Sequence, residues 1–218
     1  GVKMNTKDAL KVYYALSKEY PDAKPALKFS SAYELLVAVI LSAQCTDERV
    51  NKVTAELFKV ADTPQKMVAL HEGELEKYIY SCGFYRAKAE HILAASNAII
   101  ERFGGQVPST REELQTLAGV GRKTANVVYA VAFGGNAIAV DTHVFRVSAR
   151  IGLASGKTPE KTEKELMRLL PEDTWSKMHH YLIWHGRKVC KAINPACDKC
   201  AINALCEYKS KVGKNVCR

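Results

Sequence analysis

The chain has 218 residues, of which 47% are apolar and 25% are charged. This composition is that of a globular protein and excludes a chain that is disordered throughout. The 32 Lys and Arg residues outnumber the 23 Asp and Glu residues, which gives a net charge of +9. Such a surplus predicts a polyanionic partner, either nucleic acid or an anionic membrane surface. The longest strongly apolar run, Leu35–Leu41, is far shorter than the roughly 20 residues of a membrane span.

Helical patterns run along nearly the whole chain, with apolar residues at three- and four-residue spacings, as in Leu75, Tyr78 and Ile79. Four segments begin in ways that are typical of helices, either with a hydroxyl residue followed three positions later by Glu or with a Thr-Pro pair. These segments are Ser31–Glu34, Thr63–Pro64, Ser109–Glu112 and Thr158–Pro159.

Glycines predict where helices end, because glycine fits the left-handed conformation at a helix exit. The predicted ends are Cys82–Gly83, Gly104–Gly105, Gly134–Gly135 and Gly152. Asn136–Val140 has the pattern of a short strand, but we expect an extended connection there. The sequence therefore predicts an all-α protein of roughly ten helices. Two helical lobes with a cleft between them are expected, because a single helical core would be large at this length.

The segment Leu117–Asn126, with the sequence LAGVGRKTAN, is the most informative part of the chain. We expect one helix to end near Leu117, a tight turn to contain Gly119 and Gly121, and a second helix to begin near Arg122. Glycines let backbone N–H groups approach a ligand closely, and a helix start adds free N–H groups and a positive dipole end. The turn therefore predicts an anion site that fits DNA phosphate. A helix corner without a ligand is the alternative, whereas a nucleotide-binding P-loop is excluded because its Gly-Lys-Ser/Thr ending is missing.

Lys123 does not fit a purely structural interpretation. It lies in the first turn of the second helix, where the helix dipole disfavours a cation by about 0.3–1 kcal/mol at an exposed site. Positive neighbours such as Arg122 favour the neutral form of an amine, and a neutral amine is a nucleophile. Phosphate binding is the alternative role for Lys123.

Asp141 precedes another expected helix, which covers residues 144–151. Either Asp141 or Thr142 is a natural N-cap for it, and capping alone is one interpretation of the aspartate. The functional interpretation is a carboxylate that faces the cleft. Such a group stabilises a positive sugar transition state or moves a proton to and from Lys123.

Five of the seven cysteines lie after Gly186, and four of them form a Cys-x6-Cys-x2-Cys-x5-Cys pattern. The four are Cys190, Cys197, Cys200 and Cys206. Because no signal-peptide pattern is present, we expect a cytoplasmic protein in which a metal site is favoured over disulfides. Four thiolates in so short a segment need a cation, either Zn²⁺ or an iron–sulfur cluster.

The single Cys-x2-Cys pair and the wider spans around it favour a [4Fe–4S] cluster over zinc, with unrelated buried thiols as a further alternative. The other three cysteines are interpreted as structural or incidental: Cys45, Cys82 and Cys217. Three histidines near the pattern are not expected to bind a metal: His179, His180 and His185.

Taken together, these motifs resemble those of the endonuclease III family of DNA glycosylases. Leu117–Asn126 is similar to the helix-hairpin-helix of that family, and Val140–His143 is similar to the loop that carries its catalytic aspartate. The four-cysteine pattern is similar to the family's iron–sulfur loop. The resemblance runs from about Met4 to Tyr208 in the family's order, and the combination is much more specific than any motif alone.

The resemblance implies an all-α fold of two lobes with DNA bound in the cleft. Residues 25–135 would form a six-helix bundle that contains the helix-hairpin-helix at about 112–133, and residues 1–24 with 136–218 would form the iron–sulfur lobe. It also implies roles for single residues. Lys123 would be the nucleophile and Asp141 the catalytic carboxylate, with Gly119, Gly121 and Arg122 at the DNA.

Two further residues receive roles only from the resemblance. Gln44, in the segment Ser42–Asp47, would fill the gap left by an extruded base, and Phe84 would wedge into the base stack. Without the resemblance they read as ordinary loop and core residues. Phe84 is bulkier than the usual aliphatic wedge of the family, and Ala118 stands where the family often has proline.

The implied function is that of a bifunctional DNA glycosylase and AP lyase in base-excision repair. Its expected partner is double-stranded DNA with an oxidised pyrimidine or an abasic site, its cofactor is a [4Fe–4S] cluster, and the protein is expected to be a monomer in the cytoplasm, at the nucleoid in a bacterium. Three alternatives remain. They are a monofunctional adenine glycosylase, which lacks the lysine nucleophile, a DNA-binding module without catalysis, and a ferredoxin-like electron carrier.

Overall fold

The structure, a computed structural model, describes residues 4–208 and is built from α-helices. No residue in that range lies in a β-strand, so the all-α prediction is confirmed. The eleven α-helices of this part of the chain are α1 (Thr6–Glu19), α2 (Ala32–Ser42), α3 (Asp47–Val60), α4 (Pro64–Val68), α5 (Glu74–Ile79), α6 (Tyr85–Phe103), α7 (Arg111–Leu114), α8 (Arg122–Phe133), α9 (Thr142–Ile151), α10 (Pro159–Leu169) and α11 (Trp175–Lys188). Three short 3₁₀ turns lie at Glu172–Thr174, Cys197–Lys199 and Asn203–Leu205.

These residues form two compact units. One is the continuous stretch Pro25–Gly135, which contains α2 to α8, and the other combines residues 4–24 with residues 136–208, which contain α1 and α9 to α11. Each unit has its own cluster of buried apolar side chains. None of the helices in residues 4–208 has both the length and the apolar character that crossing a bilayer requires.

Helix α2 is the central element of the continuous unit. Nine of its eleven residues are buried, because apolar side chains occur on every face of the helix. It packs against α3, α6 and α8. The helix that follows the glycine turn is therefore supported by the most buried element of its unit.

Helix α11 has the corresponding position in the discontinuous unit, where it packs against α1 and α9. Two hydrogen bonds join it to the N-terminal segment. The Tyr20 hydroxyl and His185 Nδ1 lie 3.0 Å apart, and Trp184 Nε1 donates to the Lys24 carbonyl at 3.1 Å. The N-terminal helix is thereby attached to the unit that carries the four-cysteine segment.

Most of the predicted helix boundaries are confirmed. Ser31, Thr63 and Thr158 each cap a helix by accepting a hydrogen bond from the backbone N–H three residues later. Three predicted glycine exits adopt the left-handed conformation: Gly104, Gly134 and Gly152. Asn136–Val140 is an extended connection that contains no strand, as expected.

One predicted N-cap and one predicted glycine exit are wrong. The N-cap of α7 is Thr110 rather than Ser109, since the Thr110 hydroxyl oxygen accepts from the Glu113 N–H at 3.2 Å and donates to the Glu113 carboxylate at 2.8 Å. Both Ser-x-x-Glu and Thr-x-x-Glu fit the capping pattern here, so the sequence pattern is degenerate by one residue. The exit at Gly83 is also wrong, because α5 already ends at Ile79 and the left-handed residue is the neighbouring Phe84.

Candidate active site

The glycine turn joins α7 to α8. Helix α8 begins at Arg122 as the sequence predicts, whereas α7 ends at Leu114, three residues before the expected end near Leu117. After α7, the Leu117 N–H donates to the Leu114 carbonyl and the Val120 N–H donates to the Leu117 carbonyl, which closes two successive turns. Helix α8 begins at Arg122 with Gly121 as its N-cap, and no side chain caps it. The first N–H groups of α8 are therefore available for an anion.

Glycine occupies two positions of this turn for different structural reasons. Gly119 has a φ of +73°, and a Cβ at this position would lie 2.9 Å from the Cβ of His91. Gly121 has an ordinary φ of −82°, and a Cβ there would meet nothing within 4 Å. The fold of the chain therefore requires glycine at position 119 only. At position 121 the missing side chain leaves open space beside the start of α8. An external group needs such space to approach the backbone closely.

Lys123 lies in the first turn of α8 with its side chain exposed. Among residues 4–208, no hydrogen bond or ion pair joins its ammonium group to another residue. Arg122 is exposed beside it. This end of α8 thus combines two basic side chains with uncapped backbone N–H groups.

Asp141 is the N-cap of α9. Its Oδ1 accepts a hydrogen bond from the Val144 N–H at 2.7 Å, and the residue is half-buried. The structure therefore selects Asp141 over Thr142 as the cap. Capping fixes the orientation of the carboxylate through Oδ1 and leaves Oδ2 for other contacts, so the capping role does not exclude a catalytic one.

Gln44 and Phe84 share an uncommon backbone conformation. Both adopt a left-handed conformation, with φ values of +53° and +59°. Among the described residues, Asn194 is the only other non-glycine residue with positive φ. Both are exposed, and Phe84 has 70% of its surface accessible despite its apolar ring. Strained backbone and an exposed large apolar side chain are features of functional positions, because folding alone favours neither.

The four cysteines of the Cys-x6-Cys-x2-Cys-x5-Cys pattern line one cavity after α11. Two of their sulfur atoms have neighbours that carry N–H groups. Cys200 Sγ lies 3.5 Å from His185 Nε2, and Cys190 Sγ lies 3.7 Å from Arg150 Nη1. Burial raises the pKa of Cys200, a hydrogen bond from Ile202 opposes this rise, and the charges of the other three thiols raise the pKa further. Four thiolates in this cavity therefore need a compensating positive charge.

The remaining cysteines and histidines have structural surroundings. Burial, together with a hydrogen bond and the charge from Cys45, raises the pKa of Cys82 to about 11. His179 Nδ1 lies 2.8 Å from the Ala139 carbonyl. No group of three or more His, Cys, Asp or Glu residues within 4–208 is close enough to hold a single metal ion. Cys217 lies outside the described residues.

Lys88 lies near Gln44 and was not identified from the sequence. It is only 5% exposed, and its ammonium donates to the carbonyls of Leu41 and Ala43, next to Gln44. A signal was present in the sequence. Lys88 belongs to the same helical stripe as Ile92 and Ile99, and a lysine within a core stripe needs a specific partner.

Comparisons with known proteins place the chain in a class. Residues 37–172 match the family model of the HhH-GPD superfamily base excision DNA repair proteins. The matched range contains the glycine turn, Lys123 and Asp141. It covers more than half of the chain and thus defines the superfamily.

Closer relatives define the family within that class. The chain is 47% identical over 209 residues to endonuclease III of Haemophilus influenzae. The aligned residues cover 96% of this chain and 99% of that protein. It is 50% identical over 196 residues to endonuclease III of Bacillus subtilis, and this alignment covers 89% of this chain and 90% of that protein. The chain therefore belongs to the endonuclease III family, as the sequence motifs predict.

Solved structures agree with this assignment. A trapped endonuclease III–DNA covalent intermediate matches with a TM-score of 0.91 and 44% identity over 96% of this chain and 99% of that chain. A non-covalent endonuclease III–DNA complex matches with the same TM-score over 97% of this chain. A thermostable thymine-DNA glycosylase with a TM-score of 0.82 and 24% identity shares the fold.

Proposed function

We propose that this protein is a base-excision DNA glycosylase and AP lyase that acts on duplex DNA containing a damaged base or an abasic site. The observation that carries the proposal is the exposed Lys123 at the uncapped start of α8. It stands in a chain that is 47% identical to an endonuclease III over 209 residues. A lysine is the residue type that this chemistry requires, because a primary amine can form an imine with a sugar carbon.

The reaction begins when the damaged nucleotide leaves the duplex, because its C1′ atom is inaccessible within the base stack. The neutral amine of Lys123 forms a bond to C1′ while the bond between C1′ and the base breaks. The base leaves with that electron pair and takes up a proton. The nitrogen then loses a proton, and its electron pair forms the double bond to C1′ while the bond between C1′ and the ring oxygen O4′ breaks. The oxygen O4′ keeps the electron pair of that bond and takes up a proton, so the sugar ring opens and an imine joins Lys123 to the sugar.

Strand cleavage follows from the imine. Removal of a proton from C2′ sends its electron pair towards the imine, and the bond between C3′ and the phosphate oxygen breaks. The phosphate leaves with the electron pair of that bond, so that the strand is cut on the 3′ side by β-elimination. We assign to Asp141 the stabilisation of the positive sugar and the movement of protons to and from Lys123.

The glycine turn would bind the DNA backbone. The open space beside Gly121, the free N–H groups of α8 and the Arg122 guanidinium together suit a phosphate. Gln44 and Phe84 would occupy the space that the extruded nucleotide leaves. The exposure of both residues and their left-handed backbone support this assignment.

For the substrate class we propose oxidised pyrimidines and abasic sites, following the resemblance of the whole set of motifs. The aromatic ring of Phe84 offers a larger stacking surface than an aliphatic wedge. Because the substrate is DNA, we propose that the protein works in the cytoplasm, at the nucleoid in a bacterium.

We propose further that the four cysteines hold a [4Fe–4S] cluster. The donor set fits, because four thiols line one cavity. The single Cys-x2-Cys pair with wider spans on both sides favours a larger object over Zn²⁺. When bound, the cluster would supply positive iron ions that neutralise the thiolates. The chain's own contribution is to orient the ligands, through His185 at Cys200 and Arg150 at Cys190.

Borohydride trapping tests the nucleophile. Borohydride reduces the imine and leaves a stable covalent adduct between enzyme and abasic DNA. We expect Lys123→Arg to abolish trapping and incision, because a guanidinium forms no imine, and to retain DNA binding, because the positive charge remains. A Lys123→Arg variant that is still trapped would assign the nucleophile to another residue.

Asp141→Asn separates catalysis from capping. Asn caps helices about as well as Asp, so we expect the thermal midpoint of unfolding to remain close to that of the original protein. Turnover of damaged duplex DNA should fall strongly, because the amide has no negative charge. A variant with lower stability and unchanged turnover would leave Asp141 with capping alone.

A further inference from the structure

Lys88 is a buried cation that the proposed chemistry does not use. It lies in the first turn of α6 and is 5% exposed. Its Nζ donates to the Leu41 carbonyl at 2.9 Å and to the Ala43 carbonyl at 2.7 Å. We propose that Lys88 is a positioning residue that holds Gln44 and Phe84 in the arrangement needed to enter DNA. This inference rests on the function proposed above.

The carbonyl groups at the end of α2 show what Lys88 does. The last carbonyls of a helix lack partners within the helix. Here the Ser42 hydroxyl donates to the Val39 carbonyl, the Ala43 N–H to that of Ile40, and the Cys45 N–H to that of Ser42. The Leu41 and Ala43 carbonyls receive their donor from Lys88, which lies 47 and 45 residues further along the chain.

The charge of Lys88 fits the same end of α2. No basic residue lies in the last turn of this helix, although a cation is favourable at the negative end of the helix dipole. Lys88 supplies that cation from α6. Burial of an ammonium is unfavourable unless it is hydrogen-bonded, and here two carbonyl oxygens serve this purpose.

Lys88 contacts the backbone next to both left-handed residues. Its ammonium holds the carbonyl of Ala43, which precedes Gln44 (φ +53°). Its own backbone N–H donates to the carbonyl of Phe84 (φ +59°) at 3.1 Å. One residue therefore joins the two strained positions, and strain of this kind persists only where the surrounding structure enforces it.

The close packing of the two loops supports the same conclusion. A Cβ added to Gly83 would lie 3.6 Å from the Gln44 carbonyl oxygen. Cys45, which follows Gln44, and Cys82, which precedes Gly83, lie close enough for Cys45 to raise the pKa of the Cys82 thiol. The loop segments 43–45 and 82–84 thus pack into a single unit, which we call the platform. Lys88 joins the two segments through its ammonium and its backbone N–H.

The main test uses Lys88→Met, which keeps much of the side-chain length and removes the donors. Two substrates are compared in single-turnover incision. One is duplex DNA with a damaged base, which must be extruded, and the other is a single strand with an abasic site, which needs no gap to be filled. We expect a loss of about 10- to 100-fold on the duplex, because small misplacements near a reacting group have effects of this size. On the single strand we expect a change of less than about twofold.

A double-mutant cycle with Gln44→Ala shows whether Lys88 acts through Gln44. If it does, the loss on the duplex is smaller for Lys88→Met in the Gln44→Ala background than in the original protein. The fluorescence of 2-aminopurine placed opposite the damaged base gives a direct readout, because it rises when the base is unstacked. We expect this rise to be weaker in Lys88→Met.

Ile99→Val is the matched control, since it changes a buried residue of the same helix α6 away from the platform. If Lys88→Met fails to fold, Lys88→Arg takes its place, because it keeps donors with a different geometry and should show the same preference for the single strand in weaker form. Equal losses on both substrates, additive effects in the cycle, or a preference shared by Ile99→Val would overturn the inference. Absence of incision on duplex DNA with an abasic site by the unaltered protein would instead refute the proposed function, and the inference with it.

Discussion

Helix α2 and the four-cysteine segment are ordered by opposite means. In α2, nine of eleven residues are buried, and the helix is held by apolar contacts on all sides. In the cysteine segment, the two 3₁₀ turns contain no buried residue, and Ile202 between them is the one buried residue of 190–206. Most of the segment is held by polar contacts, such as those of Arg150 with the carbonyls of Lys191 and Ala192. The comparison teaches that apolar burial accounts for the first region, whereas the second depends on its thiols and what they bind.

The largest expected effect is on the cysteine segment. Cys197→Ser removes one thiol of the proposed cluster, and the other three then remain without a complete ligand set. We expect amide exchange in residues 190–206 to accelerate by roughly 100-fold or more, because little apolar burial replaces the lost bonds. Exchange resolved by residue, together with the iron content, measures this.

Leu36→Ala tests the other region of this comparison, helix α2. It truncates a side chain of α2 that is 1% exposed, and the expected loss of stability is about 2–5 kcal/mol. Exchange should accelerate in residues 25–135 while the iron content stays unchanged. If Cys197→Ser affected both units equally, the two regions would not be ordered independently.

A second, smaller effect distinguishes the glycine that the fold requires from the glycine proposed to make room for a ligand, both in the turn before α8. Gly119→Ala should lower the free energy of unfolding by about 2–3 kcal/mol, because it forces a positive φ on alanine and a clash with His91. Gly121→Ala should leave stability nearly unchanged and weaken binding to duplex DNA, because its methyl group occupies the space proposed for phosphate. Chemical unfolding and a DNA titration of both variants test this, and equal DNA affinity of Gly121→Ala and the original protein would contradict the proposed phosphate site.

The smallest effect is a difference in acid sensitivity between the two units. Burial, and then the charge of His179, lowers the pKa of His180 to about 3. The unfolded chain therefore binds a proton as the pH falls below about 6.5, while the folded chain does not. This histidine alone should lower the stability of the unit with α11 by about 2 kcal/mol between pH 7 and pH 5. His180→Gln should reduce this loss, and an unchanged pH profile of unfolding would show that other groups cause it.

The sequence predicts features that depend on local pattern. Ser31, Thr63 and Thr158 cap helices through bonds to residues three positions away, and the helix after the glycine turn begins at Arg122 as expected. The capping pattern at Ser109 failed by one residue because two overlapping matches exist there. Local pattern is thus sufficient where all partners lie within one turn of helix.

Features that depend on distant partners were missed. Lys88 bonds to carbonyls 45 and 47 residues away, and nothing near Lys88 in the sequence indicates which carbonyls these are. The left-handed conformation of Phe84 depends on packing between segments, so a glycine exit was expected at Gly83 instead. His185 and Arg150 reach the cysteines across 15 and 40 residues, and the cysteine spacing alone does not identify them.

The discontinuous unit has a consequence for biosynthesis. All the residues of Pro25–Gly135 leave the ribosome in one uninterrupted stretch, so this unit can fold while translation continues. Helix α1 is made before that stretch, yet its neighbour Tyr20 bonds to a histidine 165 positions later. Helix α1 must therefore wait, with its apolar face uncovered, until α11 has been synthesised.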